Sequence, residues 1–125
     1  MIDERACGPV DGQVLSRLLD DTAPAAFREL LAECRLELPG RVAAAGRAAA
    51  AGDATALGHS AHSVKGIAAT FGLTVIVDMA KAIEAACAEG KLDRARRLTT
   101  TMSESLPATL IALARAAEAL RNRGS

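Results

Sequence analysis

The chain has 125 residues, of which 15 are basic and 15 acidic, so its formal net charge is zero, and half of its residues are hydrophobic. This composition is typical of one globular domain, which we expect to span residues 1–125 with a core at about residues 10–121. The neutral charge and scarcity of aromatic residues argue against a nucleic-acid-binding protein, because such proteins use concentrated basic surfaces and stacking side chains.

The first predicted elements are a short helix and a long one. Val10–Asp20 carries apolar residues at helical spacing and predicts a short amphipathic helix that covers one end of a bundle. From about Pro24 to Gly52 an aliphatic stripe keeps a 3.6-residue period. Within it, Pro39-Gly40 predicts a kink or a brief break, because proline removes a helical hydrogen bond.

Glycines divide the rest of the chain. Gly52-Asp53 predicts the end of one helix and the start of the next, since glycine accepts the left-handed conformation and an aspartate caps free amides. The helix that follows ends at Gly72, and its predicted core stripe is Leu57, Ala61, Val64, Ala68 and Phe71.

Two further helices complete the chain. Thr74 is the predicted cap of the first, which ends at Gly90, and the second runs from about Asp93 to Arg121. Pro107 predicts a kink or a split in this last helix. Four long helices with short connections favour an all-α fold, an antiparallel up-down-up-down four-helix bundle with a short N-terminal capping helix.

One helical face does not look like core. Gly58, His62, Lys65, Gly66 and Ala69 lie three or four residues apart beside the core stripe, so they are neighbours on one surface. Each interior glycine costs roughly 1 kcal/mol relative to alanine, in a chain that uses alanine almost everywhere else. We infer that something requires close access to the backbone around His62.

The turn at Gly72-Leu73 sets the register of the next helix. In an antiparallel hairpin centred there, residues whose numbers sum to about 146 lie at the same level. The level pairs are then His62 with Glu84, Lys65 with Lys81, and His59 with Cys87.

A carboxylate opposite an imidazole suggests a nucleophile. Glu84 can hold the proton of one ring nitrogen of His62 and leave the other nitrogen free to react. Lys65 would stabilise negative charge that arrives there, and Gly66 would leave room for its carrier. These are the parts of a phosphoryl acceptor, because phosphoryl transfer depends chiefly on positioning and electrostatics.

Other interpretations of these residues are simpler. A lone histidine is usually structural, Lys81 could be an ordinary solvated charge, and Gly58 could relieve crowding between helices. His59 and His62 could bind a metal with Cys87 and Glu84, but no complete ligand shell is evident, so we predict none. We assign to a partner-docking rim the residues Gly58, His59, Ala69 and Lys81.

The sequence also excludes several chemistries and locations. Cys7, Cys34 and Cys87 are odd in number and form no CxxC or Cys/His pattern, so we predict reduced thiols. There is no glycine-rich phosphate loop, GxSxG elbow or HExxH pair. The acidic start lacks the pattern of a secretory leader, and no run reaches the ~18 apolar residues of a membrane span. We therefore expect a cytoplasmic protein with no membrane contact.

The run Ala61-His62-Ser63-Val64-Lys65-Gly66, with Gly72 after it, resembles the HxxKG signature of histidine-containing phosphotransfer (HPt) domains. The resemblance extends over residues 24 to 90. Val64 and Ala68 depart mildly from the residues that many members carry at these positions. Glu84 stands where the family places a glutamine or glutamate beside the imidazole.

The resemblance implies a phosphorelay intermediate that is not itself an enzyme. His62 would exchange a phosphoryl group with the aspartate of a response-regulator receiver domain or accept it from a histidine kinase, with Lys65, Gly66 and Glu84 in support. The chain would bind no cofactor, and the receiver would supply Mg²⁺. The neutral overall charge fits transient contact with a partner, so we expect a monomer. Two alternatives remain: a helical interaction module that carries no phosphate, and the phosphoacceptor domain of a larger histidine kinase.

Overall fold

The computed structural model describes residues 9–123, and all regular secondary structure in that range is helical. Five helices follow in chain order: α1 Gly12–Asp21, α2 Pro24–Ala51, α3 Ala54–Thr70, α4 Thr74–Ala88 and α5 Leu92–Arg123. The predicted all-α class is therefore confirmed. Cys7 lies outside the described residues.

The four long helices form a helical bundle. Each of them packs against the next in the chain, and α2 also packs against α5. Apolar side chains from all five helices meet in one buried cluster, whose largest fully buried members include Leu15, Phe27, Leu57, Ile83 and Met102. No helix in residues 9–123 has the length and apolarity to cross a membrane.

Helix α1 covers the end of the bundle where α3 turns into α4. The Asp11 amide donates a hydrogen bond of 2.6 Å to the Gly72 carbonyl, and Leu15 is fully buried. The Asp11 side chain in turn caps α1 by accepting from the amides of Gln13 and Val14. These contacts fix the turn that sets the register between α3 and α4.

The predicted helix boundaries agree with the structure at the glycines. Gly52, Gly72 and Gly90 all have positive φ, between 69° and 73°. After Gly52, the Asp53 carboxylate accepts a hydrogen bond of 3.0 Å from the Ala56 amide and so caps α3. Each connection between long helices is therefore short and defined by a glycine.

The predicted cap at Thr74, break at Pro39 and split at Pro107 were wrong, whereas the kinks predicted as alternatives at the two prolines stay predictions. Leu73, not Thr74, occupies the cap position of α4, and Thr74 is the first helical residue. Pro39 lies inside an unbroken α2, and Pro107 lies inside an unbroken α5. A proline removes one backbone hydrogen bond, and the burial of Leu38 and Leu106 beside these prolines keeps each helix against the core.

Candidate functional site

The candidate site lies on the outer surface of α3 and α4. Ala61 and Val64 are fully buried, so the residue between them in the helical sequence, His62, is directed away from the core. Its side chain is 72% exposed. The core stripe thus presents the imidazole to solvent from a rigid helix.

His62 and Glu84 form the contact that the hairpin register predicts. Nδ1 of His62 lies 3.2 Å from Oε2 of Glu84. An ionised carboxylate can only accept a hydrogen bond, so Nδ1 carries the proton and donates it. In the neutral imidazole, Nε2 then carries the lone pair, and it is the nitrogen remote from Glu84.

Lys65 also contacts Glu84, which the sequence analysis did not predict. Its Nζ lies 2.7 Å from Oε1, an oxygen that is shielded from solvent. The register predicts that Lys65 and Lys81 lie at the same backbone level, but the Lys65 side chain is long enough to pair with a carboxylate about one turn away. Lys81 is exposed and has no ion pair with the described residues.

His62, Lys65 and Glu84 form a triad whose electrostatics keep Glu84 ionised. Partial burial by itself would raise the pKa of the Glu84 carboxyl, but hydrogen bonds and positive charge from Lys65 and His62 outweigh it and lower that pKa below its ordinary value. One carboxylate therefore orients an imidazole through Oε2 and an ammonium through Oε1.

A groove of about 450 Å³ runs beside the triad between α3 and α4. The predicted rim residues Gly58 and His59 line this groove. Cys87, which the register places level with His59, lines it as well. Its lining residues are Ala54, Thr55, Gly58, His59, His62, Glu84, Cys87 and Ala88.

Neither helical glycine of this surface is required by packing. A Cβ added at Gly66 would meet no atom within 4 Å, and one added at Gly58 would make ordinary contact with Cys87 at 3.8 Å. Crowding between α3 and α4 therefore does not explain Gly58. Ala69, one turn beyond Lys65, is exposed, so the surface from His62 to Ala69 presents small side chains to solvent.

The thiols of Cys34 and Cys87 are weak nucleophiles at neutral pH. Burial, with the nearby Glu37 carboxylate, raises the pKa of Cys34 to about 11, and burial also raises the pKa of Cys87. Within residues 9–123, no three His, Cys, Asp or Glu side chains are grouped in a way that could hold a metal ion. The described site is thus built around the imidazole.

Sequence reasoning placed Lys65 in the site but missed its contact with Glu84, and it did not assign Cys87 to the groove. The bridging role of Lys65 had a signal in its spacing, since residues i and i+3 of one helix can both reach a single carboxylate on the next. The place of Cys87 in the groove had no signal of its own beyond its level with His59.

Comparison with known proteins gives one informative match. The family model described as Hpt domain matches residues 29–123. No curated protein and no solved structure matches the chain. The family match covers all of α3, α4 and α5 and most of α2, so this chain belongs to the family of Hpt domains, the histidine phosphotransfer modules of two-component signalling.

Proposed function

We propose that this protein is a phosphorelay carrier in which Nε2 of His62 accepts a phosphoryl group from, and returns it to, the aspartate of a response-regulator receiver domain. The observation that carries the proposal is the 3.2 Å contact between His62 Nδ1 and Glu84 Oε2. It assigns the proton to one ring nitrogen and leaves the other nucleophilic and exposed.

The transfer step balances without a further reactant. The Nε2 lone pair attacks the phosphorus of the receiver's aspartyl phosphate, the bond between phosphorus and the aspartyl oxygen breaks, and the carboxylate leaves with the electron pair. The imidazole becomes positively charged, and Glu84 stabilises it through the proton on Nδ1. The receiver would supply the Mg²⁺ that its own acidic pocket binds.

Lys65 would act after the phosphoryl group arrives. Its ammonium lies 2.7 Å from Glu84, one helical turn from His62, and it can move toward the new negative charge. Gly66 has no neighbouring atoms at the position of a side chain, which leaves space for the receiver. The exposed residues His59, Ala69 and Lys81, with the half-buried Gly58, would form the docking rim.

The remaining expectations belong to the same proposal. Short connections and the level contacts of His62 with Glu84 and of Gly58 with Cys87 support the antiparallel up-down-up-down order of the four long helices. We propose a single domain over residues 1–125 that acts as a monomer in the cytoplasm.

The proposal is tested by phosphotransfer from a panel of phosphorylated receiver domains. We expect label on wild type and on His59→Gln but none on His62→Gln, and the label should be acid-labile and base-stable. Glu84→Ala removes the acceptor of the Nδ1 proton and should reduce the rate roughly 10- to 100-fold, since a hydrogen bond to a charged group is worth roughly 1.5–3 kcal/mol. Label that persists on folded His62→Gln would refute the assignment, and a folded wild type that takes no label from any donor would favour the interaction module.

A further inference from the structure

A second surface lies across the bundle from His62, between α2 and α5. Two adjoining cavities follow this seam at the end covered by α1, with volumes of about 580 Å³ and 160 Å³. Arg28 and Arg121 line both of them. The two cavities together form one feature, which we call the α2–α5 groove.

The floor of the groove is apolar. In the larger cavity it consists of Leu19, Pro24, Phe27 and Leu120, and in the smaller one of Leu31, Ala32, Leu113, Ala114 and Ala117. Phe27 and Leu113 are fully buried beneath it, so the deepest part of the floor belongs to the packed core. Hydrophobic grooves of this kind bind the apolar face of an amphipathic helix.

The rim of the groove is positively charged. Arg28, Arg35 and Arg121 are all exposed, and none of them forms an ion pair with any residue in 9–123. Asp20 is the one acidic residue among those that line the two cavities, against three arginines. Arg28 and Arg35 are seven residues apart on α2, which spaces them by about 10 Å along the helix axis.

This concentration of charge contrasts with the chain as a whole, whose formal net charge is zero. Unpaired arginines beside apolar surface are typical of interfaces, where charge complementarity selects the partner and raises its rate of association. A partner for this groove needs apolar side chains on one face and acidic side chains beside them.

We infer that the α2–α5 groove binds an acidic amphipathic helix of another protein. Apolar residues spaced i, i+4 and i+7 would enter the two cavities, and glutamates beside them would meet the three arginines. The seam between α2 and α5 lies across the ring of helices from the seam between α3 and α4. A helix bound there leaves His62 accessible, so the same molecule can be held by one partner while it reacts with another.

The test uses the full chain and a helical peptide of about 16 residues that carries leucine and phenylalanine at i, i+4 and i+7 with flanking glutamates. A matched peptide has lysine in place of every glutamate. We expect the acidic peptide to bind about tenfold more tightly than the basic one, with an affinity that falls as salt is added. Equal binding of the two peptides would overturn the inference.

Chain variants locate the site. The double variant Arg28→Glu/Arg35→Glu should weaken the acidic peptide about tenfold. The control Arg47→Glu/Arg115→Glu changes exposed arginines of the same two helices outside the groove and should bind as wild type does. Circular dichroism verifies that both variants are folded. His62→Gln should also bind normally, so failure here is separate from failure of the phosphotransfer proposal.

Two other occupants would overturn the inference. If a second copy of the chain fills the groove, light scattering will detect a dimer that Arg28→Glu/Arg35→Glu dissociates. If the chain's own amino-terminal acids fill it, Asp3→Lys/Glu4→Lys will raise the affinity for the acidic peptide. We expect neither change.

Discussion

Two glycines six residues apart in the sequence differ in whether the fold requires a glycine at that position. Gly72 has φ of 69°, and a Cβ there would lie 2.8 Å from the Asp11 carbonyl oxygen and 3.0 Å from Cβ of Val14. Gly66 is helical, and a Cβ there would meet nothing within 4 Å. The fold explains the first glycine and does not explain the second, so the reason for the second must be sought outside the chain.

The largest effect should follow the change of Gly72 to alanine. A left-handed non-glycine residue costs about 1–3 kcal/mol, and overlap with Asp11 and Val14 adds a cost of similar size. We expect the free energy of unfolding to fall by roughly 3 kcal/mol in total, measured by denaturant titration. The phosphotransfer rate per folded molecule should not change, because the turn lies away from His62.

If Gly72→Ala were as stable as wild type, the contact between α1 and the turn would not be rigid. Gly90→Ala is a suitable control, because Gly90 also has positive φ but no atom near the position of a Cβ. It should lose only the conformational part of the free energy, about 1 kcal/mol.

The next effect concerns access to the imidazole. Gly66→Phe places a large side chain in the open space beside His62 and Lys65, so we expect the rate of transfer from a phosphorylated receiver to fall tenfold or more. This corresponds to a rise of roughly 1.4 kcal/mol or more in the activation barrier. The free small-molecule donor acetyl phosphate should label His62 at a nearly unchanged rate. Equal losses with both donors would show that the side chain disturbs His62 itself.

The sequence predicted the elements whose signal is local. Gly52, Gly72 and Gly90 end helices because glycine accepts positive φ more readily than any other residue, and all three do so here. The register that opposes His62 to Glu84 then followed from the position of one turn. A prediction of this kind requires no information about how the helices pack against one another.

The features that sequence reasoning missed depend on packing or on side-chain reach. Pro39 and Pro107 lie in continuous helices, because burial of the flanking apolar residues outweighs one lost hydrogen bond. Register counts backbone levels, so it placed Lys65 opposite Lys81, whereas the flexible lysine extends to Glu84. The α2–α5 groove required the positions of three helices at once.

A smaller effect sharpens the contrast between the glycines. Gly66→Ala fills open space in a helix interior, so we expect the free energy of unfolding to rise by about 0.5–1 kcal/mol. Thermal melting monitored by circular dichroism should show the increase. Gly58→Ala is the matched variant at the other helical glycine, where the new methyl group would contact Cys87, and it should gain at least as much. A loss of stability at position 66 would mean that the fold itself requires this glycine.

The smallest effect is the pH dependence of the stability that Glu84 contributes through its contacts with His62 and Lys65. Because Lys65 and His62 lower the pKa of Glu84 in the folded protein, the unfolded chain binds more protons at this group, and its contribution to stability increases with pH. This contribution should be complete above the ordinary glutamate range, about pH 4–5, and be lost as the pH falls through the lowered pKa. We therefore expect the difference in unfolding free energy between wild type and Glu84→Gln to be constant from neutral pH to about pH 5 and to shrink below about pH 4.

Urea titrations at several pH values measure this difference, with Glu118→Gln as a control for an exposed glutamate of α5. A difference that grew toward acid would mean that Glu84 is protonated in the folded state, and Nδ1 of His62 would then lose its fixed acceptor.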